Sequence, residues 1–419
     1  MEKNLYNRNR KKLLDKIPEK SLVLLMSNIS YPRNGDQYFP FRQDSNFFYL
    51  TGLHEKNIKL IIYKGETEET NFKAIYIEKT DSIKEVWDGP SLNINDATDI
   101  SGIDIVKYHD QWKADLQQKM TICKKVFVDM EESDNPFFEY KNAFFRKIQN
   151  DFPLHQFENL RNILTELRTI KEKEEIIFIK KAISITEETF LDVVKTIRPG
   201  KTEKEVEAAI SYGFNKRAAS GHAFAPIIAG GKNACTLHYI KNNSTLDDQS
   251  LVLLDFGAEY NNYAADCSRT LPVNGRFTPR QRQIYNILLD IFKKARNEIR
   301  EGITINSINE KVISWLKETH IALGLYKEKE VENDPGLTKK YYPHGIGHFM
   351  GLDVHDVGGK DLKLKSGMVL TCEPGIYIPE EKTGIRLEND ILVTPDGNED
   401  LMKDIPIEID DIEKLMRQD

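Results

Sequence analysis

Four carboxylates sit on segments that otherwise read as buried strands. Leu251 to Phe256 is an apolar run carrying Asp255 near its end. The polar turn Glu259-Tyr-Asn-Asn-Tyr263 then leads into a second run, Ala264 to Val273, carrying Asp266. A hairpin turning at Tyr260-Asn261 sets the two aspartates directly opposite, with Cβ atoms about 4.5–5.5 Å apart; a turn one residue later makes the register less direct. The pattern recurs further on. Met368 to Glu373 ends in Glu373, Gly384 to Val393 carries Glu388, and a turn about Glu380-Glu381 sets that pair opposite. Like charges facing each other destabilise a sheet, and an unpaired buried carboxylate costs several kcal/mol. Taken singly, each acid could cap a turn or meet a lysine on a solvated face. Two such pairs together call for cations.

The segment Tyr342-Pro-His344-Gly-Ile-Gly-His348-Phe-Met-Gly-Leu-Asp-Val-His355-Asp-Val-Gly-Gly359 holds three of the 9 histidines in the chain. His344 and His348 have the spacing of one helix face, but Gly345 and Gly347 between them favour a loop or distorted turn. Four carboxylates with one or two imidazoles make a hard, oxygen-rich donor set. That suits Mn²⁺, with Co²⁺ or Zn²⁺ under some loadings, and disfavours copper or an iron–sulfur cluster. A paired-metal site activates water and polarises a carbonyl together, so residue chemistry alone points to metal-assisted hydrolysis. Three familiar motifs are near misses. Gly345-Ile-Gly347-His-Phe-Met-Gly351 is one residue too long for a dinucleotide fingerprint. No HExxH is present, and Asp255-Phe-Gly257 lacks the companion motifs of a kinase.

These residues need elements to hold them. A chain of 419 residues is too long for one ordinary core, so two domains are expected. The first third alternates apolar runs, Leu22 to Met26, Ile58 to Tyr63 and Phe72 to Glu78, with helical or polar stretches, an α/β pattern. Leu160 to Ile197 is long, charged and periodic, as in helices packed on a surface. The boundary falls within 155–172, giving an N-terminal domain over 1–165 and a catalytic domain over 166–419. The second domain carries a weak internal duplication. Arg198-Pro-Gly-Lys-Thr202, with Thr202 and Glu205 spaced as a capping box, is echoed by Arg300-Glu-Gly-Ile-Thr304. Val252-Leu-Leu-Asp255-Phe-Gly257 is echoed by Leu370-Thr-Cys-Glu373-Pro-Gly375, and a histidine precedes each acidic strand, His238 in one half and His344/His348 in the other. Chance produces short matches of this kind, but three in one order favour two similar half-domains sharing one site.

Composition excludes several classes. Hydrophobic residues at 40% and charged ones at 30% are ordinary for a globular protein, and the net charge of -7 leaves no footprint for nucleic acid. Neither a signal peptide nor a membrane-length apolar segment is visible. Cys123, Cys235, Cys267 and Cys372 are far apart and form no CxxC pair, which fits free thiols in a reducing cytoplasm.

The series Asp255…Asp266…His348…Glu373…Glu388 resembles the five-ligand signature of the pita-bread metallopeptidases. Those include methionine aminopeptidase, prolidase and aminopeptidase P, with the metal-free creatinase as a relative. The aminopeptidase P/prolidase branch is resembled by His344-Gly-Ile-Gly-His348 with Gly351-Leu-Asp-Val-His355-Asp-Val-Gly358, by Glu373-Pro-Gly-Ile-Tyr377, and by Gly384-Ile-Arg386-Leu-Glu388. Arg33-Asn-Gly-Asp36, Phe39-Pro-Phe-Arg42-Gln-Asp-Ser-Asn-Phe-Phe-Tyr49-Leu-Thr-Gly52 and Trp87-Asp-Gly89 are similar to the aminopeptidase P N-terminal domain. The likeness covers nearly the whole chain.

The resemblance implies an α/β N-terminal domain and an α+β pita-bread catalytic domain with pseudo-twofold internal duplication. It implies two divalent metal ions, one held by Asp255 and Asp266 and the other by His348, with Asp266, Glu373 and Glu388 including the bridging ligands. His238, in Thr236-Leu-His-Tyr239, corresponds to a histidine near the scissile bond, and His344 and His355 to histidines that position substrate and stabilise the tetrahedral intermediate. Arg386 lies on the same strand face as Glu388 and would support the site by hydrogen bonding. The implied reaction is attack by a metal-bridging hydroxide on the carbonyl between residue 1 and proline. Glu373 would handle the proton, and the histidines would act as donors. The implied partners are peptides with proline in second position and further copies of the chain, as a dimer or tetramer. Asp36 and Trp87 would line the far side of the cleft from their own or a neighbouring subunit; their plain reading is a turn residue and a core aromatic. Two features depart from the pattern: the loop from Ile378 to Thr383 is short, and Asn389 stands where an acid is common. A prolidase restricted to dipeptides shares the same ligands, and a catalytically dead binding module shares the fold. A methionine aminopeptidase fits the N-terminal domain and the His355 region poorly.

Overall fold

The computed structural model describes residues 2–79, 81–131, 138–334 and 336–417. Two compact units divide the chain, Met1–Arg168 and Thr169–Asp419. In the first, a six-stranded sheet runs Ile105–Tyr108, Phe72–Ile77, Lys59–Lys64, Ser21–Met26, Lys125–Val128, Gln156–Asn159. The three strands expected from apolar runs are the middle of this sheet. Ser21–Met26 is buried throughout, and one sheet face packs Leu22, Leu24, Ile61 and Tyr76 against Trp112, Leu116 and Phe145. The unit is α/β, as its alternating pattern requires.

The second unit repeats itself down to single hydrogen bonds. Helix Glu203–Lys216 starts at Thr202, whose side chain accepts from Glu205 N while Glu205 reaches back, the expected capping box. Helix Ile305–Ala322 starts the same way at Thr304, with Ser307 as the reciprocal partner. Two residues before each cap stands a glycine in the left-handed region, Gly200 at φ 87° and Gly302 at φ 84°, a conformation that a Cβ disfavours. Gly200 N donates to Leu246 O and Gly302 N to Leu364 O; in return Leu246 N donates to Lys201 O and Leu364 N to Ile303 O. A long helix precedes each motif, Lys173–Val193 in the first half and Pro279–Glu298 in the second.

Each half also contributes an interrupted hairpin. In the first, Leu251–Phe256 pairs with Cys267–Pro272, and beyond a break Ala258–Tyr260 pairs with Tyr263–Ala264. In the second, Val369–Cys372 pairs with Asn389–Thr394, and beyond a break Gly375–Ile378 pairs with Thr383–Arg386. The second register is the expected one. Cys372 faces Asn389 on one side of the break and Gly375 faces Arg386 on the other, so Glu373 and Glu388 stand opposite across the gap.

The first register is not. Its turn is Asn261-Asn262, both left-handed at φ 49° and 64°, so Tyr260 faces Tyr263 and Asp255 faces Ser268 rather than Asp266. Two consecutive left-handed residues are what a two-residue hairpin turn requires. Asn tolerates that conformation far better than Tyr260 would, which moves the turn one position along. Asp266 remains on the face of Ser268, two residues away, diagonal to Asp255.

Candidate metal centre

Three of the four acids occupy the breaks, and the fourth stands beside one. Asp255 is the penultimate residue of its strand, Asp266 lies between two strand segments, and Glu373 and Glu388 lie in the gap of the second hairpin. The backbone amides of the three acids in the breaks are still paired, but with neighbours outside their own ladders. Glu373 N donates to Ile346 O, Glu388 N to Ser268 O, and Asp266 N to Asp390 Oδ2. The histidine segment is a loop, as its glycines require, tied down by a bridge between Phe349 and Leu370 and by Thr371 N donating to His348 O.

Asp266, His348 and Glu388 bring one ligand atom each within 4.8 Å of one another. His348 Nε2 stands 3.5 Å from Asp266 Oδ2 and 3.7 Å from Glu373 Oε1. The other ring nitrogen, Nδ1, is 3.1 Å from Phe349 O. A carbonyl can only accept, so Nδ1 carries the proton and the Nε2 lone pair faces the space that the acid oxygens also face. Asp255 accepts from Arg386 Nη2 at Oδ2, while its Oδ1 is buried with no hydrogen-bond partner among the described residues.

Electrostatics favour a positive charge among these acids. Burial, followed by the Asp255 charge, holds the Asp266 carboxyl well above its ordinary range. Burial and then Asp266 do the same to Glu388. Asp255 is also raised by burial, with Arg386 opposing the shift. Buried acids that cannot all ionise beside one guanidinium, one of them with an orphaned oxygen, fit divalent cations.

Arg386 ties the acids together. Its Nε donates to Ser268 Oγ at 2.8 Å, its Nη1 to the Tyr377 hydroxyl at 3.0 Å, and its Nη2 to Asp255. Ser268 Oγ in turn donates to Glu388 Oε2 at 2.7 Å. Tyr377 stands 2.7 Å from His344 Nε2, and His344 Nδ1 is 2.8 Å from Gly345 O. By the same carbonyl argument Nδ1 of His344 holds the proton, so the Tyr377 hydroxyl donates to Nε2. Burial pushes the His344 imidazole down, keeping it neutral, and pushes the Tyr377 phenol up to about 12.

A cavity of about 260 Å³ opens onto these groups and is also lined by His238, His355, Phe224 and Ile240. His238 sits on a loop held by buried Glu203, which accepts from Gly230 N, Asn233 Nδ2, the Tyr239 hydroxyl and Ser244 N. The ring of His355 packs 4.3 Å from that of His348. Asp255, Asp266, His238, His344, His348, His355, Glu373, Arg386 and Glu388 therefore all line one cavity. Asp36 and Trp87 belong to the N-terminal unit. Asp36 is exposed in the turn between Pro32–Asn34 and Gln37–Tyr38, and Trp87 is 83% exposed, which rules out the core aromatic of its plain reading. Sequence reasoning passed over Ser268, Tyr377 and Asp390. Each lies at even spacing from a recognised acid on an extended segment (266 to 268, 373 to 377, 388 to 390), so the two-residue period of a strand would have flagged them.

The model of metallopeptidase family M24 matches residues 178–395, and that of the aminopeptidase P N-terminal domain matches residues 6–127. A Xaa-Pro aminopeptidase of Haemophilus influenzae is 34% identical over 99% of this chain and 98% of its own. The proline aminopeptidase P II of Yersinia pestis superimposes with a TM-score of 0.90 at 32% identity, covering 99% of both chains. Zinc-substituted Escherichia coli aminopeptidase P in complex with product gives 0.91 at 30% identity, covering 99% of this chain and 98% of that one.

Proposed function

The chain belongs to metallopeptidase family M24, and we infer that it is an Xaa-Pro aminopeptidase, a hydrolase that removes the residue preceding a proline in second position. The observation that carries this reading is the Asp266, His348 and Glu388 cluster in a cavity shared with His238 and His355, within a chain that matches Xaa-Pro aminopeptidases end to end. Asp255, Asp266, His348, Glu373 and Glu388 would hold two divalent cations. Their oxygen-rich donor set favours manganese, with zinc or cobalt as alternatives. Ions bound there would activate water and polarise the scissile carbonyl.

The other residues divide the remaining work. Glu373 is half-buried at the cavity wall and would take a proton from the attacking water and return it to the proline nitrogen. Among the described residues the rings of His238 and His355 make no hydrogen bond within the chain, which leaves their N–H groups for the substrate and the developing oxyanion. Burial, and next the neighbouring His348, push the His355 imidazole down, so it serves as a neutral donor. His344, with both nitrogens engaged, holds the Tyr377 hydroxyl, and Arg386 fixes Asp255 and, through Ser268, Glu388.

Asp36 and the exposed Trp87 are assigned to substrate binding, from their own or a neighbouring subunit of a homo-oligomer. Ile83, Val86 and Trp87 form an apolar exposed face on helix Ser82–Asp88, of the kind that subunit contacts cover. Four free cysteines support a cytoplasmic setting, and no described helix is long and apolar enough to cross a membrane.

Product analysis with Arg-Pro-Pro and Gly-Pro, with and without Mn²⁺, tests the assignment. Release of Arg from the tripeptide, dependent on the metal, is expected. Rapid cleavage of Gly-Pro with no release of Arg would make the protein a dipeptidase, and no cleavage together with no bound metal would make it a binding module.

A further inference from the structure

Lys171 and Asp356 form an ion pair at 2.7 Å with each side chain only 1% exposed. A pair this deep recovers little more than its own desolvation, so stability alone is a weak reason for it. Its position suggests another. Asp356 follows His355 directly, and its backbone N–H donates to Phe349 O at 2.8 Å. That same carbonyl receives the Nδ1 proton of His348, the contact that turns Nε2 toward the acids. One carbonyl thus fixes both the metal-facing histidine and the residue after the substrate-facing one.

The pair is clamped on every side that bears on the site. Lys171 N donates to Gly367 O at 2.8 Å, which anchors its backbone just ahead of helix Lys173–Val193. Gly351 lies directly over the pair. A Cβ there would come within 2.7 Å of Lys171 Nζ and closer still to Asp356 Oδ2, so any larger residue would have to displace the pair. Gly351 O accepts from Ala264 N at 2.9 Å, two residues before Asp266. On the first turn of the same helix, buried Glu175 accepts from the Tyr263 hydroxyl at 3.0 Å. One helix start therefore holds both the histidine loop and the approach to Asp266.

We propose that Lys171 is a positioning residue: through Asp356 and Phe349 O it sets the His348 ring toward the metal ligands and fixes its spacing from His355. The proposal takes the roles of His348 and His355 from the function inferred above. Its primary readouts are metal binding and the coordination spectrum, which do not depend on which peptide is cleaved.

The test uses the full chain as K171M, K171R and D356N, each checked for folding by circular dichroism. Mn²⁺ affinity is measured by calorimetry, and the Co²⁺-loaded protein by visible absorption. K171M and D356N are expected to bind Mn²⁺ about 10- to 100-fold more weakly and to shift the Co²⁺ bands. Their kcat on Arg-Pro-Pro should fall more than KM changes, and K171R should restore part of each loss. If K171M does not fold, the double variant K171M/D356N, which removes both charges together, is scored in its place. Wild-type Mn²⁺ affinity and an unchanged Co²⁺ spectrum in a folded, charge-free variant would overturn the proposal and leave the pair a merely structural one.

Discussion

Arg386 and Asp255 meet across the two halves of the catalytic unit, with Nη2 of the arginine donating to Oδ2 of the aspartate, and the contact leaves Asp255 Oδ1 buried and, among the described residues, unpartnered. The guanidinium therefore holds the carboxylate by one oxygen and presents the other. Three separate acceptors, Asp255, Ser268 and Tyr377, use three directions of one planar fork, a geometry that lysine lacks.

Arg386→Lys should consequently keep the fold and the charge but lose the alignment. An ammonium cannot serve all three acceptors from one position, so kcat/KM on a Pro-second peptide is expected to fall by about 10- to 100-fold. Steady-state kinetics beside an unchanged circular dichroism spectrum would check it. Activity within a factor of about two of wild type would show that the charge alone suffices.

Glu373→Gln should abolish turnover without unfolding the chain. The amide cannot accept a proton from water, and its removal of one negative charge relieves Asp266 and Glu388, both of which Glu373 pushes upward. Turnover is expected to drop by at least about 100-fold, the loss of a general acid–base group, while the metal-free melting temperature holds or rises. Near-normal activity would contradict the assigned proton transfer.

Chelation should destabilise the protein in a pH-dependent way. Burial, first among the causes, raises the carboxyls of Asp255, Asp266, Glu388 and Asp390 in the metal-free chain. Groups whose folded pKa lies above the unfolded value bind more protons when folded, so stability falls as pH rises above the ordinary carboxylate range. The metal-free protein should therefore melt higher at about pH 6 than at about pH 8. Metal present at 100 times its Kd should add about 2.7 kcal/mol. Calorimetric scans at both pH values, with and without chelator, would show either pattern.

Glu175 gives a second pH effect, separable because it persists in the metal-loaded protein. Burial pushes its carboxyl up to about 7, against the opposing pull of Lys171. Folding then favours the protonated form, and stability should decline as pH rises from about 4.5 through 7, by on the order of 3 kcal/mol. Glu175→Gln should flatten that decline. An unchanged slope in the variant would place the titration elsewhere.

Much of this architecture was legible because strand patterning and turn chemistry are local. The apolar runs around Asp255 and Glu373, the Thr202 cap and the second hairpin's register all follow from residues within a few positions of one another. The first hairpin's turn is ambiguous by one residue in the sequence because Asn261 and Asn262 stand between Tyr260 and Tyr263, and only the backbone angles decide among them. The strand breaks at Asp266 and Glu388 were not legible either. Both segments read as continuous strands, and the interruptions come from bonds to distant partners, Asp390 and Ser268. For the same reason Lys171 carried no signal: its partner Asp356 lies 185 positions further along the chain.

The ladder breaks carry one last consequence. At each of them a backbone or side chain of one half is completed by the other: Glu388 N by Ser268 O, Asp266 N by Asp390, Asp255 by Arg386. The seam joining the duplicated halves and the reaction centre are thus the same place. Asp255 and Asp266 come from one half and His348, Glu373 and Glu388 from the other, so neither half alone assembles the cluster.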